Sequence, residues 1–219
     1  MRHNWCFGVL GVAVAVSGCD VNRDGVDFGY LERFRPGLGG GRGATTVIVD
    51  PASVSGQAAA PVLAASLEGR GTSNVFALSA TNGNVQSWVT NDNVAIFTED
   101  GLVVGTAGLT YDLYTAQAPT PADWGPVPLP ASGDRIHRRI GGDDKIIIDS
   151  FSCEYQDAGR VDLDTPTGVV SARVVIEACG NTERSFENAY FLDRSDQVLA
   201  TRQWLGPGIG FVSMQFIGN

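Results

Sequence analysis

The chain holds few side chains of the kinds that catalyse reactions, and their spacing narrows them further. Of its two His, only His137 lies beyond the N-terminal segment, and its neighbours are Arg135, Arg138 and Arg139. A general base needs an orienting carboxylate and a nucleophile in reach, and no G-x-S-x-G or comparable motif supplies one. Three nearby guanidinium groups suit another task, because planar forked donors match a carboxylate or an anionic sugar. Arg135, Arg138 and Arg139 are therefore candidate ligand or partner contacts, against the plainer reading of a solvated strand face. Asp149, Glu154, Glu177 and Glu187 lie on strand-like segments. A glycan hydrolase needs two such groups facing each other at roughly 5–10 Å, and nothing in the spacing pairs these. Asp143-Asp144, after Gly141-Gly142, reads as a hairpin loop. Trp88 and Trp204 are further contact candidates, since indoles stack on sugar rings, although most aromatics of an all-β protein pack in its core.

Two motif-like segments fail on inspection. Asp20 to Gly25 begins like a calcium loop, but the twelfth position is Leu31 and Glu32 falls one residue late. Gly39 to Ala44 matches a dinucleotide fingerprint formally, yet precedes a strand and opens no helix. No metal and no cofactor is expected.

The four cysteines are more informative. Arg2 followed by the apolar run Cys6–Val16 reads as an export signal; eleven residues rise roughly 16 Å as a helix, too little to span a bilayer. Val16-Ser17-Gly18-Cys19 then resembles the bacterial lipobox, whose Cys thiol is alkylated by diacylglycerol before cleavage ahead of it. The alternative is an ordinary secretory signal with a chance Cys. The lipobox reading makes 1–18 a signal peptide and Cys19 the lipidation site, with the membrane as a partner through the lipid. Asp20 resembles the inner-membrane retention signal of enteric bacteria, so either membrane stays open, the outer being favoured. Cys153 and Cys179 remain, in an oxidising compartment facing the periplasm, and suggest one disulfide. Folding the hairpin between them about Pro166 sets the two opposite each other. Two free thiols or a catalytic thiol are the rival readings.

Residues 19–43, rich in Gly, read as a flexible tether, and 44–219 as a single all-β domain. Strand-like runs recur at Thr45–Val49, Pro61–Leu67, Val75–Thr81, Val85–Thr90, Val94–Thr98 and Leu102–Thr106. Asn82-Gly83 and Asp100-Gly101 are hairpin signals. The proline-rich stretch 115–133 reads as a long loop. Strands resume at Arg135–Ile140, Lys145–Gln156, Gly168–Cys179, Ser185–Leu192, Gln197–Trp204 and Gly210–Ile217. About ten or more strands without a long amphipathic helix predict an antiparallel β-barrel, or a half-barrel or sandwich. Composition agrees: 43% hydrophobic residues suffice for a core, and 18% charged residues are too few for a helical bundle. A net charge of −9 argues against nucleic acid as a partner.

Two blocks carry a family resemblance. Gln86-Ser87-Trp88, Val94-Ala95-Ile96-Phe97 and the run Asp100 to Leu109 form the first; Glu187 to Asp193 followed by Ala200 to Pro207 forms the second. In this order, from about residue 60 to the end, they resemble the YjbF/GfcB family of bacterial lipoproteins. Two departures stand out: the chain has Leu102-Val103-Val104-Gly105 where the commoner run reads "GRLVRTAGL", so both arginines are missing, and Phe191 replaces a Trp. The resemblance implies a non-catalytic envelope lipoprotein that assists assembly or export of capsule or exopolysaccharide. Its implied partners are other proteins of a polysaccharide export system, with polysaccharide itself a further candidate. The alternatives are a β-barrel carrier or chaperone for a lipid or hydrophobic ligand, which needs an apolar cavity, and the glycan hydrolase above.

Overall fold

The computed structural model describes residues 61–124, 132–141 and 144–218. The signal peptide, Cys19, the tether and the strand expected at Thr45–Val49 lie outside the described residues. The strands are β1 (Val62–Leu67), β2 (Thr72–Asn82), β3 (Val85–Val89), β4 (Ala95–Glu99), β5 (Leu102–Ala107) and β6 (Leu113–Gln117). They continue as β7 (Ser132–Ile140), β8 (Ile146–Thr165), β9 (Gly168–Gly180), β10 (Ser185–Leu192), β11 (Val198–Trp204) and β12 (Phe211–Ile217). The fold is the expected all-β one, with twelve described strands in a single antiparallel sheet that curls into a nearly closed barrel. Among the described residues, no helix is long and apolar enough to cross a membrane.

Each strand pairs with its sequence neighbours, with one exception and one addition. The addition joins the two ends of the meander: β1 pairs with β12 from Val62↔Ile217 to Leu67↔Val212. The exception is the sheet's pair of edges, β5 and β6. That seam is narrow. The Leu113 N–H donates to Thr106 Oγ1 at 2.9 Å, and a Cβ on Gly105 would stand 3.3 Å from the Tyr114 carbonyl oxygen. Strand β6 was not expected, because its residues sit at the start of the proline-rich stretch. The prolines begin only at Pro119, and the stretch also contains a short helix, α1 (Pro121–Trp124).

The turns refine the expectations. At the β2–β3 hairpin Asn82 pairs with Val85, so the loop is Gly83-Asn84 rather than Asn82-Gly83, and only its glycine takes positive φ. Such a turn needs Gly at its first central position. Asp100-Gly101 closes β4–β5 as expected, with both residues at positive φ.

The β8–β9 hairpin shows how register can come right by compensation. Thr165 pairs with Gly168, so the loop is Pro166-Thr167, and an unbroken ladder would set Cys153 against Gly180. A bulge between Asp157 and Arg160 places one extra residue in β8 and restores the pairing Cys153↔Cys179. Gly159 makes this possible: its φ of 86° is left-handed, and its N–H donates to Asp157 Oδ1 at 2.8 Å.

Beyond the bulge the hairpin folds back over the outside of the barrel. Leu163 and Ala172 cover Val174, Ile176, Ala189, Phe191 and Ala200 in a second apolar core. The Gln215 side chain on β12 donates to the Asp164 carbonyl at 2.9 Å, fixing the hairpin's end. Strand β9 is therefore buried on both faces over Ala172–Glu177, which explains why Val174, Val175 and Ile176 follow one another without polar alternation. The main core lies inside the barrel and includes Leu63, Trp88, Leu102, Phe151, Tyr190 and Met214.

Candidate functional site

Inward-facing positions alternate along the strands, and on β9 they are Val175, Glu177 and Cys179. A carboxylate two residues from a buried Cys must itself be buried. Glu177 is fully enclosed, and so is its partner Arg135 on β7. The guanidinium grips both carboxylate oxygens, Nε–Oε1 at 3.0 Å and Nη2–Oε2 at 2.7 Å. Three further donors complete the acceptor sites: Tyr190 OH at 2.9 Å, Asn188 Nδ2 at 2.8 Å and Tyr155 OH at 3.2 Å. Burial pulls the Arg135 pKa down, but the adjacent Glu177 charge and hydrogen bonds, together with Tyr190, hold it above its ordinary value. Burial first, then Glu177, raises the Tyr190 hydroxyl well above its ordinary range. The cluster is closed: a buried charge with its acceptor sites filled is a structural pair rather than a reactive carboxylate.

His137 stands two residues along β7 on the same inward face. Its ring stacks on Trp204 at 5.7 Å and on Phe186 at 6.3 Å, with Phe151 edge-on at 5.8 Å. Its Nε2 accepts from Arg135 Nη1 at 3.5 Å, while Nδ1 is buried without a hydrogen-bond partner. Burial, reinforced by the charges of Arg135 and Arg139, lowers its pKa to about 3. A neutral imidazole locked in an aromatic stack has no carboxylate to orient it.

The expected trio of arginines does not form one cationic cluster, and this corrects the sequence reading. Strand alternation sends Arg135 inward, where it is fully buried, and Arg138 outward, where it donates to Gln117 Oε1 at 2.8 Å. Arg139 is half-buried and holds Asp149 Oδ2 at 2.7 Å. Trp88 is likewise withdrawn from any partner: it is fully buried and donates Nε1–H to Thr98 Oγ1 at 2.9 Å. Trp204 is half-buried, and its backbone N–H donates to Asn188 Oδ1 at 2.7 Å. The four carboxylates considered for hydrolysis divide between faces. Asp149 and Glu177 point inward, each with its own arginine, whereas Glu154 and Glu187 point outward.

Cys153 and Cys179 are joined by a disulfide, both buried. With Glu177 they form a group whose ligand atoms lie within 4.8 Å of one another. Because the sulfurs are bonded to each other they offer no thiolate, and the donor set does not fit a metal.

The two sequence blocks that carried the resemblance meet across the interior. Gln203 on β11 donates Nε2–H to the Gly101 carbonyl at 2.8 Å and accepts from the Val103 N–H at 3.0 Å. This clamps opposite walls of the barrel together. It also brings Gly101 against Val198, where a Cβ would come within 2.7 Å of Val198 Cγ1. Asn188 and Tyr190, from the second block, supply two of the donors to Glu177.

The class is thus a nearly closed antiparallel barrel, with twelve described strands and a charged pair and a disulfide at its centre. The family described as "Group 4 capsule polysaccharide lipoprotein gfcB, YjbF" matches residues 43–217, and the chain belongs to it. The crystal structure of the hypothetical lipoprotein YmcC from Escherichia coli (K12) superimposes with a TM-score of 0.65 at 21% identity, covering 73% of this chain and 84% of that one. At that identity the likeness speaks for the fold. No curated protein matches the chain significantly.

Proposed function

We propose that this protein is a non-catalytic envelope lipoprotein, anchored through Cys19 and facing the periplasm, that assists assembly or export of a capsule or exopolysaccharide. Membership of a capsule polysaccharide lipoprotein family carries the reading. The geometry supports it, because the ionisable groups at the barrel's centre are spent on one another. The same interior weighs against the carrier alternative: Trp88, Arg135, Phe151, Tyr190 and Met214 occupy the space that an acyl chain would need. The outer membrane is the favoured address.

The test is deletion in a polysaccharide-producing host, followed by complementation. Wild-type protein should incorporate labelled palmitate and restore surface polymer; Cys19→Ser should do neither. Normal polymer secretion in the deletion strain would overturn the reading.

A further inference from the structure

In an up-and-down meander alternate turns gather at one end. The β2–β3, β4–β5 and β10–β11 turns meet in this way at the end where the chain enters β1 and leaves β12. Between them lies a pocket of about 550 Å³, lined by residues that include Asn84, Gln86, Asp100, Asp196, Gln197 and Phe216. A second depression of about 350 Å³ shares Asn84 and Asp100 with it and continues past Gln117 toward the β5–β6 seam. The two form one elongated groove, and both volumes lie within the range of ligand sites.

We propose that this groove binds an uncharged stretch of a glycan chain. The inference rests on the polysaccharide role above and assigns that role a surface. Three observations carry it. First, among the described residues no intramolecular hydrogen bond engages the side-chain amides of Asn84, Gln86 and Gln197, so these lining donor–acceptor groups are available to a ligand. Second, among the described residues no Lys or Arg lines either depression. Glu99, Asp100 and Asp123 would repel a phosphate or carboxylate, whereas sugar hydroxyls donate readily to such acceptors. Third, the buried side chains of Phe216 and Val198 give the larger depression an apolar floor for the C–H face of a sugar ring.

The walls are prearranged, which lowers the ordering cost of binding. Gln203 ties the β4–β5 turn to β11 through Gly101. Asp193 Oδ1 accepts from the N–H groups of Ser195 and Gln197, fixing the β10–β11 turn. Arg173 holds Asp196 at 3.1 Å and offsets its charge.

The test uses neutral oligosaccharides of three or more residues, obtained by partial hydrolysis of the host's own polymer, titrated into the full-length protein and followed by NMR. Shifts should cluster at residues 83–86, 99–102 and 195–198. The double variant Asn84→Ala/Gln86→Ala, and independently Gln197→Ala on another turn, should each weaken binding at least about tenfold while leaving the melting curve unchanged. Absence of binding at millimolar sugar, binding indifferent to both variants, or uptake of a tetralysine peptide in place of the sugar would each overturn the assignment. Complementation separates this failure from that of the broader role. If groove variants restore polymer as fully as wild type in a deletion strain that lacks it, the groove is wrong and the export role stands.

Discussion

Replacing Glu177 by Gln changes one atom and removes one charge, at a position without access to solvent. The amide can present only one acceptor oxygen to five donors. Turning its NH2 toward the Oε1 side confronts Arg135 Nε and Tyr155 OH with a donor; the other rotamer confronts Arg135 Nη2, Tyr190 OH and Asn188 Nδ2. Arg135 cannot escape by losing its proton, because a guanidinium stays charged. Breaking one side of a buried ion pair costs about 3–5 kcal/mol. For a domain of this size each kcal/mol lowers Tm by roughly 2–4 °C, so Glu177→Gln should melt about 6–20 °C below wild type. Urea unfolding followed by tryptophan fluorescence, with the disulfide oxidised throughout, measures the same quantity, since Trp88 and Trp124 are buried reporters. The second half of the argument is a rescue. Arg135→Met/Glu177→Gln removes the orphaned charge and leaves an acceptor for Tyr190 and Asn188, so it should be more stable than Glu177→Gln alone. A single variant within about 1 kcal/mol of wild type, or a double variant no better than the single, would refute the claim that the charge pair organises the interior.

Two further outcomes follow from the same region. His137 is held neutral to a pKa of about 3, whereas unfolded chain takes up its proton near 6.5. Between these values the unfolded state binds more protons, so stability falls as pH drops from about 6.5 toward 3, at up to roughly 1.4 kcal/mol per pH unit from this group. His137→Phe keeps a ring in the stack and should flatten the stability–pH curve between pH 4 and 6; an unchanged slope would show that the imidazole protonates in the folded protein. The Cys153–Cys179 bridge closes a loop with a sequence separation of 26, for which chain entropy gives about 3.5 kcal/mol. Reduction, or Cys153→Ala/Cys179→Ala, should lower the urea midpoint accordingly, and a midpoint that does not move would show the bridge to be energetically idle.

Strand existence and type were legible because alternation and turn chemistry agree along most of the chain. Asp100-Gly101 shows this, since two positive-φ residues between alternating runs admit only a tight hairpin. What local pattern could not supply was which face a strand presents to what. Arg135 and His137 look like members of a charged, solvated strand; only Glu177, brought in from a strand more than forty residues away, makes their burial tolerable. The second apolar core was hidden for a related reason. Val174 and Ile176 would face solvent in a plain barrel, and they are covered only because the β8–β9 hairpin doubles back at Gly159. The disulfide was found from symmetry about Pro166, yet the true turn lies half a residue further on and the bulge makes up the difference. Strand β6 was lost to the prolines that follow it. The turn-end groove had no sequence signal at all, because its walls come from three separate hairpins whose convergence is a property of closure.

That closure makes the molecule topologically a ring. Because β1 and β12 are ordinary ladder neighbours, with Val62 opposite Ile217, the two ends leave the barrel side by side. The chain could be rejoined there and reopened at the 108–112 connection beside the seam, in a circular permutant that keeps every ladder. The new termini would emerge from the opposite rim. An N-terminal lipid grafted to such a permutant would present the other end of the barrel to the bilayer, giving direct experimental control over which rim faces the membrane.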